Sequence, residues 1–195
     1  VPTLIDAAGG TPSPDLDGRS LLPLLKGQTK THREQAYFLF NSRVHETKGD
    51  PHFSTRAVTD GNFKFIWNLT PDNLYVVNVT STDLTGRVRP TDHGLIYASM
   101  IDRMKTDKHA EAMVNRIRSR PQYQLYDLEK DPYELNNLAG TPEYSEMIKK
   151  FKADIRQWMK KQGDDGHVDP EGMEVIKYED YRFPYPKKGS QRSVK

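Results

Sequence analysis

The chain has 195 residues and no cysteine, which excludes disulfide scaffolds, thiolate zinc sites and cysteine nucleophiles. Its 29 Lys and Arg residues nearly balance its 27 Asp and Glu residues, and the formal net charge of +2 provides no single-sign field that would favour nucleic acid or an anionic membrane as a partner. The length predicts one domain or slightly more, yet only 35% of the residues are hydrophobic, which is low for a self-contained body of this size.

The first forty residues alternate short apolar segments with Pro and Gly loops. Residues 2–8, followed by two glycines, predict the last turns of a helix that ends at a glycine C-cap. A Pro and Gly loop at 11–18 leads to a short apolar turn at 19–27, which needs a neighbouring surface to cover it. Residues 36–41 are continuously apolar as far as Asn41, and this pattern predicts a strand buried on both faces.

A β-hairpin is the clearest local prediction. Residues 56–59 and 62–67 read as strands, and they flank the dipeptide Asp60-Gly61. This dipeptide favours a two-residue type I′ turn, because both central positions of that turn require a positive φ.

The middle of the chain is less regular. Residues 71–94 read as an irregular excursion with a possible strand at 74–79, and residues 98–118 predict a polar surface helix. The longest nearly apolar run, 95–101, is far shorter than the roughly 20 residues that a membrane helix requires, so we expect no membrane span. Residues 123–127 predict a further strand, with a turn after it at Asp131-Pro132.

A long amphipathic helix is predicted over residues 141–161. Thr141 is the expected N-cap, Pro142 occupies the first helical position, and Gly163 ends the helix. An apolar stripe at helical spacing marks the buried face: Tyr144, Met147, Ile148, Phe151, Ile155, Trp158 and Met159. Residues 164–195 show no periodicity and are expected to be a wrapping or partly disordered tail.

The residues themselves supply no complete active site. Glycine-rich phosphate loops, the zinc-protease motif His-Glu-x-x-His and the hydrolase motif Gly-x-Ser-x-Gly are all missing from the sequence. His32, His45 and His52 cluster before the hairpin, and His45 adjoins Glu46. Their spacing is not diagnostic of a metal site, and solvated or structural histidines are the alternative.

Arg56 stands at the entry to the hairpin. There its guanidinium can bind a carboxylate or a sulfate with two parallel hydrogen bonds, or form a structural ion pair, and the sequence leaves both alternatives open. Two glycosylation sequons, Asn68-Leu-Thr70 and Asn78-Val-Thr80, would matter only in a eukaryotic secretory protein.

Four blocks, in this order, resemble the C-terminal third of the type I, formylglycine-dependent sulfatases. They are Pro2-Thr-Leu-Ile-Asp6, Leu16-Asp-Gly-Arg-Ser-Leu-Leu-Pro-Leu-Leu25, Arg56-Ala-Val-Thr-Asp-Gly-Asn-Phe-Lys-Phe65 and Gln124-Leu-Tyr-Asp-Leu-Glu-Lys-Asp-Pro-Tyr-Glu-Leu-Asn-Asn-Leu-Ala139. Three shorter elements resemble the heparan N-sulfatase branch, the N-sulfoglucosamine sulfohydrolases or sulfamidases. These elements are Val44-His45-Glu46, Asn68-Leu69 and Asp169-Pro-Glu-Gly-Met-Glu-Val175.

The resemblance implies an α+β fold. A small antiparallel sheet of about four strands is expected to pack on a long C-terminal helix, preceded by the trailing edge of an alkaline-phosphatase-like α/β sulfatase domain. The resemblance also divides the chain into three parts. Residues 1–54 are the edge of the large domain, with 36–41 as a late strand. Residues 55–163 are the C-terminal subdomain, and residues 164–195 are the tail.

In this family the nucleophile is a formylglycine made from the Cys or Ser of a Cys/Ser-x-Pro-x-Arg motif, and Asp and Asn side chains hold a calcium ion. The chain contains no such motif. The resemblance therefore implies that calcium and formylglycine belong to a full-length enzyme, with nucleophile and metal ligands in an N-terminal sulfatase domain upstream of Val1. We expect this chain alone to be inactive, and the complete enzyme to be periplasmic, secreted or lysosomal.

The resemblance also implies which residues meet the sulfated glycan substrate. By position, His45, Glu46 and Arg56 are the candidate substrate-binding residues, and no catalytic residue or metal ligand is expected in this chain. Glu46 would pair with sugar hydroxyls or an amine, and Arg56 or His45 would meet an anionic group.

Three alternatives remain open at the level of the sequence. The chain is part of a sulfatase that removes the N-sulfate of glucosamine or an O-sulfate, or it is a non-catalytic glycan-binding or assembly module derived from a sulfatase. A third possibility is phosphoryl or phosphonate transfer, because relatives of alkaline phosphatase share the large-domain plan. The block at 124–139 favours sulfatases over these relatives.

Overall fold

The computed structural model describes residues 1–41, 53–73, 75 and 95–166. Within these residues the strands are β1 (Ala36–Asn41), β2 (Ser54–Thr59), β3 (Phe63–Asn68) and β4 (Tyr123–Asp127). The helices are α1 (Pro2–Ala7), α2 (Leu22–Leu25), α3 (Leu95–Arg103), α4 (Lys108–Arg118) and α5 (Ser145–Gln162), with a 3-10 turn at Pro142–Tyr144. The possible strand at 74–79, apart from Tyr75, and the tail beyond residue 166 lie outside the described residues.

The four strands form one antiparallel sheet in the order β1-β2-β3-β4. The amide of Asn68 donates to the carbonyl of Gln122 at 2.9 Å, and at the opposite end of the same strand pair the amide of Leu128 donates to the carbonyl of Asn62 at 2.7 Å. These two bonds define the antiparallel register of β3 and β4. The predicted α+β fold with a small antiparallel sheet and a long helix is confirmed.

The chain forms two compact units, and each unit is built from three separate segments of the sequence. The first comprises Val1–Phe38, Ala57–Ile66 and Gln124–Ile155. Its core contains Val58, Phe65, Leu125, Phe151 and Ile155, all at most 2% exposed. The ring of Phe65 stacks on that of Phe151 of α5, with 6.2 Å between centroids, and burial of each such side chain contributes about 2 kcal/mol. The α5 stripe therefore packs as predicted.

The second unit takes its described residues from 39–56, 67–123 and 156–166. Its fully buried side chains include the polar residues Ser54, Arg56 and Asn68 as well as Phe53 and Val114. Arg56 and Asn68 both have hydrogen-bond partners, so buried polar contacts contribute to the interior of this unit.

The β2–β3 hairpin is confirmed, but its turn is not the predicted type I′. Gly61 has φ +97°, whereas Asp60 does not have a positive φ. Instead, Oδ1 of Asp60 accepts hydrogen bonds from the amides of Asn62 (3.0 Å) and Phe63 (2.8 Å). The Asp60 carboxylate thus caps a longer turn, in place of the backbone geometry that type I′ requires.

Strand β1 is present where expected, but it is not buried on both faces as predicted. Phe38 and Leu39 are each about half exposed, at 52% and 51%. Within the described residues, β1 is an edge strand of the same sheet as β2. The assignment of residues 1–54 to the edge of a large domain stays a prediction. A continuous apolar run indicates that a strand is covered by other residues, but it does not identify the surface that covers it.

The predicted helix at 98–118 is two helices, α3 and α4. Asp107 separates them as the N-cap of α4, where its Oδ1 accepts from the amides of His109 at 2.9 Å and Ala110 at 3.2 Å. The start of α5 also differs, because Thr141 precedes a 3-10 turn and makes no side-chain cap bond. In the described part of the chain, no helix has the length and apolarity needed to cross a bilayer.

Candidate functional site

Arg56, the candidate anion-binding residue of β2, is 1% exposed and fully engaged. Its Nε and Nη2 donate to the two carboxylate oxygens of Asp164 at 2.5 and 2.9 Å. Its Nη1 donates to Oδ1 of Asn41 and to the carbonyl of Thr55, both at 2.9 Å. The structure therefore shows the structural ion pair, the alternative that the sequence left open, with a bidentate geometry.

Asp164 reaches Arg56 because the chain reverses directly after α5. Gly163 takes φ +67°, and the amide of Asp164 donates to the carbonyl of Met159 at 2.9 Å, which closes the helix end. Gly166 then lies so close that an added Cβ would meet the Leu69 side chain at 3.1 Å. The first residues of the predicted tail are thus held against the sheet.

The ion pair is electrostatically strong, because both partners are removed from water. The side chain of Asp164 is only 12% exposed. Its hydrogen bonds from Arg56 hold the pKa of the Asp164 carboxyl below its usual value, and desolvation opposes this shift. Asp164 and Asn41 were not among the predicted site residues. A helix-ending glycine followed by an aspartate was the signal available, but nothing local connects that position to β2.

His45 and Glu46, the other candidate substrate-binding residues, lie outside the described residues. Their assignment therefore stays a prediction from the sequence. The residues that flank this segment are described: Asn41 on one side, and Phe53, which is 1% exposed, on the other. Arg56 connects the two ends, because it follows Phe53 closely along the chain and donates a hydrogen bond to Asn41.

Asn68, the first sequon position, is fully buried and uses both of its amide atoms. Its Nδ2 donates to the carbonyl of Pro121 at 2.5 Å, and its Oδ1 accepts from the hydroxyl of Thr55 at 2.8 Å. This cross-link joins β2, β3 and the segment that enters β4. A glycan cannot be attached to Asn68 in the folded chain, because the amide nitrogen is neither exposed nor available.

The block at 124–139, which carries the strongest family resemblance, begins in β4 and continues as a loop that its own acidic and amide side chains hold. Oδ1 of Asp127 accepts from the amides of Glu129 and Lys130, and the carboxylate of Asp131 accepts from the amides of Leu135 and Asn136. In addition, Oδ1 of Asn137 accepts from the amides of Leu125 and Ala139 at 2.9 and 3.0 Å. The recurrent Asp and Asn residues of this block therefore serve the local backbone.

Metal ligands do not converge in the described part of the chain, where no group of three His, Asp or Glu side chains is arranged to hold an ion. The carboxylates of Asp127, Asp131 and Asp164 are each committed to backbone amides or to a guanidinium. These residues do not supply the oxygen-rich ligand set that a calcium ion requires.

Two comparisons with known proteins agree with this description, and no protein-family model matches the chain. The chain is 32% identical over 170 residues to an ulvan-active sulfatase of Formosa agariphila, and 28% identical over 169 residues to a second ulvan-active sulfatase of the same bacterium. These alignments cover 84% and 86% of this chain, but only 28% and 25% of the relatives. The chain thus spans about a quarter of their length.

Among solved structures, a putative sulfatase from Bacteroides thetaiotaomicron superposes with a TM-score of 0.50 at 21% sequence identity. That superposition covers 84% of this chain and 24% of the other. At this identity the likeness shows a shared fold, which is the fold that the sequence blocks imply.

Proposed function

We propose that this chain is the C-terminal part of a sulfatase that hydrolyses sulfate groups from a sulfated glycan. The observation that carries this proposal is the 32% identity to an ulvan-active sulfatase across 84% of the chain. The four sequence blocks lie in the order expected for the last third of such an enzyme, and the sheet and long helix have the expected fold.

This proposal requires an N-terminal sulfatase domain in addition to this chain. Exposed apolar residues of the chain are consistent with a surface that such a domain would cover. In the first unit, Leu4 of α1 and Leu25 of α2 are 75% and 72% exposed, and Phe38 of β1 is also exposed. Exposed apolar patches of this kind mark interaction surfaces in soluble proteins. The alignments cover only 28% and 25% of the relatives, so the relatives contain enough additional chain to supply that cover.

In the complete enzyme, the formylglycine nucleophile and a calcium ion would supply attack and charge stabilisation at the sulfur. This chain would contribute one wall of the substrate pocket. We propose that His45 and Glu46 contact the sugar, with Glu46 accepting from hydroxyl or amine groups. Arg56 is already saturated by Asp164, Asn41 and Thr55, so within this proposal it holds the two ends of the segment that carries His45 and Glu46.

The identity of the sulfated sugar has two candidates. The relatives named above are ulvan-active, which favours a polysaccharide O-sulfatase. The elements at Val44-His45-Glu46 and Asp169–Val175 favour an N-sulfoglucosamine sulfohydrolase. These candidates differ in the bond that breaks, a sulfate ester S–O bond or a sulfamate S–N bond.

The deciding experiment starts from the reading frame that contains this chain. We expect a Cys/Ser-x-Pro-x-Arg motif upstream of Val1, and we expect the protein encoded by the whole frame to release sulfate from sulfated polysaccharides. Assays on ulvan and on N-sulfoglucosamine separate the two candidate substrates. The 195-residue chain alone is expected to release none. A start codon directly before Val1, with sugar binding but no hydrolysis, would instead establish the non-catalytic module.

Within the complete protein, a double substitution tests the proposed wall. We expect His45→Ala and Glu46→Ala together to lower kcat/KM and to change the preference between substrates, while Arg56 is left in place because its ion pair with Asp164 belongs to the fold. Unchanged kcat/KM and unchanged preference would remove these residues from the site.

A further inference from the structure

The ring of Tyr75 contacts two residues that lie on opposite sides of one chain segment. The ring of Phe40, in β1, is 5.8 Å from the Tyr75 ring between centroids, and the two planes are 40° apart. The ring of Phe53, which directly precedes β2, meets the Tyr75 ring edge-on at 5.4 Å. Residues 41–52 lie between these two phenylalanines along the chain. One partly buried ring therefore holds both sides of the connection between β1 and β2.

Tyr75 is itself restrained by the residues that link α4 to β4. Its amide donates to the carbonyl of Arg118 at 2.8 Å, which fixes its backbone. The guanidinium carbon of Arg120 lies 3.8 Å from the centroid of its ring, within the range of a cation–π contact. Because a hydrogen bond restrains the backbone and a cation restrains the ring, Tyr75 can act as a fixed support for Phe40 and Phe53.

Backbone pairing of the strands does not account for this restraint. β2 begins at Ser54, so Phe53 lies outside the strand, yet its side chain is only 1% exposed. The Phe40 side chain, within β1, is 39% exposed and so has fewer neighbours. Removal of the Tyr75 ring would take a packing partner from both side chains. Tyr75 therefore adds a side-chain restraint to the backbone pairing of β1 and β2.

We propose that Tyr75 is a positioning residue for sugar binding, because its ring holds the two sides of the segment that carries His45 and Glu46. Tyr75 is assigned no contact with the sugar, and it acts through Phe40 and Phe53. Binding groups must be held within about 0.5 Å of their working positions, so a shift at either side of the segment weakens binding. The role in sugar binding rests on the proposed function, whereas the restraint on the segment rests only on the ring contacts.

Steady-state kinetics of the complete protein test the positioning role. Tyr75→Leu keeps an apolar side chain but removes the flat ring. We expect it to raise KM about tenfold while kcat stays within about twofold, because two aromatic contacts are lost and the groups at the sulfur are unchanged. Tyr75→Phe keeps the ring and should restore the wild-type KM. Tyr144→Leu removes a comparable aromatic contact, with Phe63 at 5.9 Å, and is the matched control that should leave KM unchanged.

A combination of variants separates positioning from a general loss of structure. If Tyr75 acts through the segment, Tyr75→Leu should raise KM no further in a protein that already carries His45→Ala and Glu46→Ala. Effects on KM that multiply would show that Tyr75 acts elsewhere and would overturn the positioning role. Equal KM values for Tyr75→Leu and Tyr144→Leu would overturn it as well.

Trypsin cleavage of the 195-residue chain tests the restraint without an assay of activity. The segment contains two cleavage sites, Arg43 and Lys48, and the exposed Lys26 after α2 is the internal reference. We expect Tyr75→Leu, but not Tyr75→Phe, to raise the cleavage rate at both sites about tenfold relative to the reference, because cleavage follows local opening of the chain. Mass spectrometry identifies each cut, and an unchanged relative rate in Tyr75→Leu would overturn the restraint.

A second variant covers the case in which Tyr75→Leu unfolds the chain and cleavage rises at every site. Arg120→Ala keeps the Tyr75 ring but removes the cation on it, and we expect a selective increase of about threefold at Arg43 and Lys48. No selective increase in this variant would then overturn the restraint. Selective cleavage without sulfate release by the complete protein would reject the proposed function and leave the restraint intact. Sulfate release with unchanged cleavage would do the opposite.

Discussion

Arg56 and Arg120 lie in the same unit of the molecule, yet their surroundings are opposite. Arg56 is 1% exposed, and its donors reach Asp164, Asn41 and the backbone. Arg120 stacks on the ring of Tyr75, and its buried Nε–H has no acceptor among the described residues. The contrast separates an arginine held by a carboxylate from one held by an aromatic ring. Substitutions at Arg56 and its partner should therefore cost more stability than substitutions at Arg120.

The largest expected effect is on the Arg56 cluster. Asp164→Ala leaves a buried guanidinium unpaired, and we expect it to lower the free energy of unfolding by about 3–5 kcal/mol. Urea denaturation followed by circular dichroism measures this change. Asp102→Ala, which removes an exposed ion pair with Lys105, is the control and should lower it far less, because exposed ion pairs contribute little to stability. Equal effects of the two substitutions would show that Arg56 is not held by Asp164.

Replacing both members of the Arg56–Asp164 ion pair tests the same explanation for the loss of stability. Arg56→Met combined with Asp164→Leu removes the charges together, and we expect a smaller loss of stability than for Asp164→Ala alone. The reason is that the single variant leaves one buried charge uncompensated, whereas the double variant leaves none. A double variant that is less stable than both single variants would contradict this account.

Acid should weaken the ion pair between Arg56 and Asp164, because it protonates the Asp164 carboxylate. The pKa of Asp164 is lowered in the folded state, so its contribution to stability is present above the unfolded pKa, near 4, and is lost as the pH falls through the lower, folded value. Unfolding measurements between about pH 5 and pH 2 should show an extra slope of at most about 1.4 kcal/mol per pH unit from this proton. That slope should be missing in Asp164→Asn.

A smaller effect is expected at the stacked arginine. Arg120→Ala removes a cation–π contact with Tyr75 but strands no buried carboxylate, so we expect a loss of stability of about 1 kcal/mol. Thermal unfolding of the variant beside Asp164→Ala gives the comparison. A loss as large as that of Asp164→Ala would show that Arg120 contributes to the fold as strongly as the Arg56 ion pair.

The smallest effect should come from Arg118→Gln, which we expect to change the free energy of unfolding by less than about 0.5 kcal/mol, because none of the ion pairs between described residues includes Arg118. Thermal unfolding of this variant beside Arg120→Ala measures the difference. A larger loss for Arg118→Gln than for Arg120→Ala would contradict this order.

Local patterns in the sequence determined the secondary structure of the regular parts. The α5 stripe, the glycine that ends the helix and the hairpin at Asp60-Gly61 all depend on contacts between residues close along the chain, and each was found where predicted. The break between α3 and α4 was missed, because helical periodicity outweighed the capping aspartate Asp107 in the middle of the pattern.

Only part of the candidate site could be predicted from the sequence. Arg56 was singled out by its place before the hairpin, but its partner Asp164 lies 108 residues further along. Arg118 and Arg120 were not singled out at all. An arginine looks the same in a sequence whether a carboxylate, an aromatic ring or nothing faces it.

By itself, then, the sequence determined the order and type of most elements, the overall family likeness and the lack of a cysteine-derived nucleophile on this chain. The tertiary structure alone decided that β1 is an exposed edge strand, that Arg56 pairs with Asp164 and that Arg120 stacks on Tyr75. The physical reason is range: helix, strand and turn signals act over a few residues, whereas burial and ion pairing depend on groups brought together from distant parts of the chain.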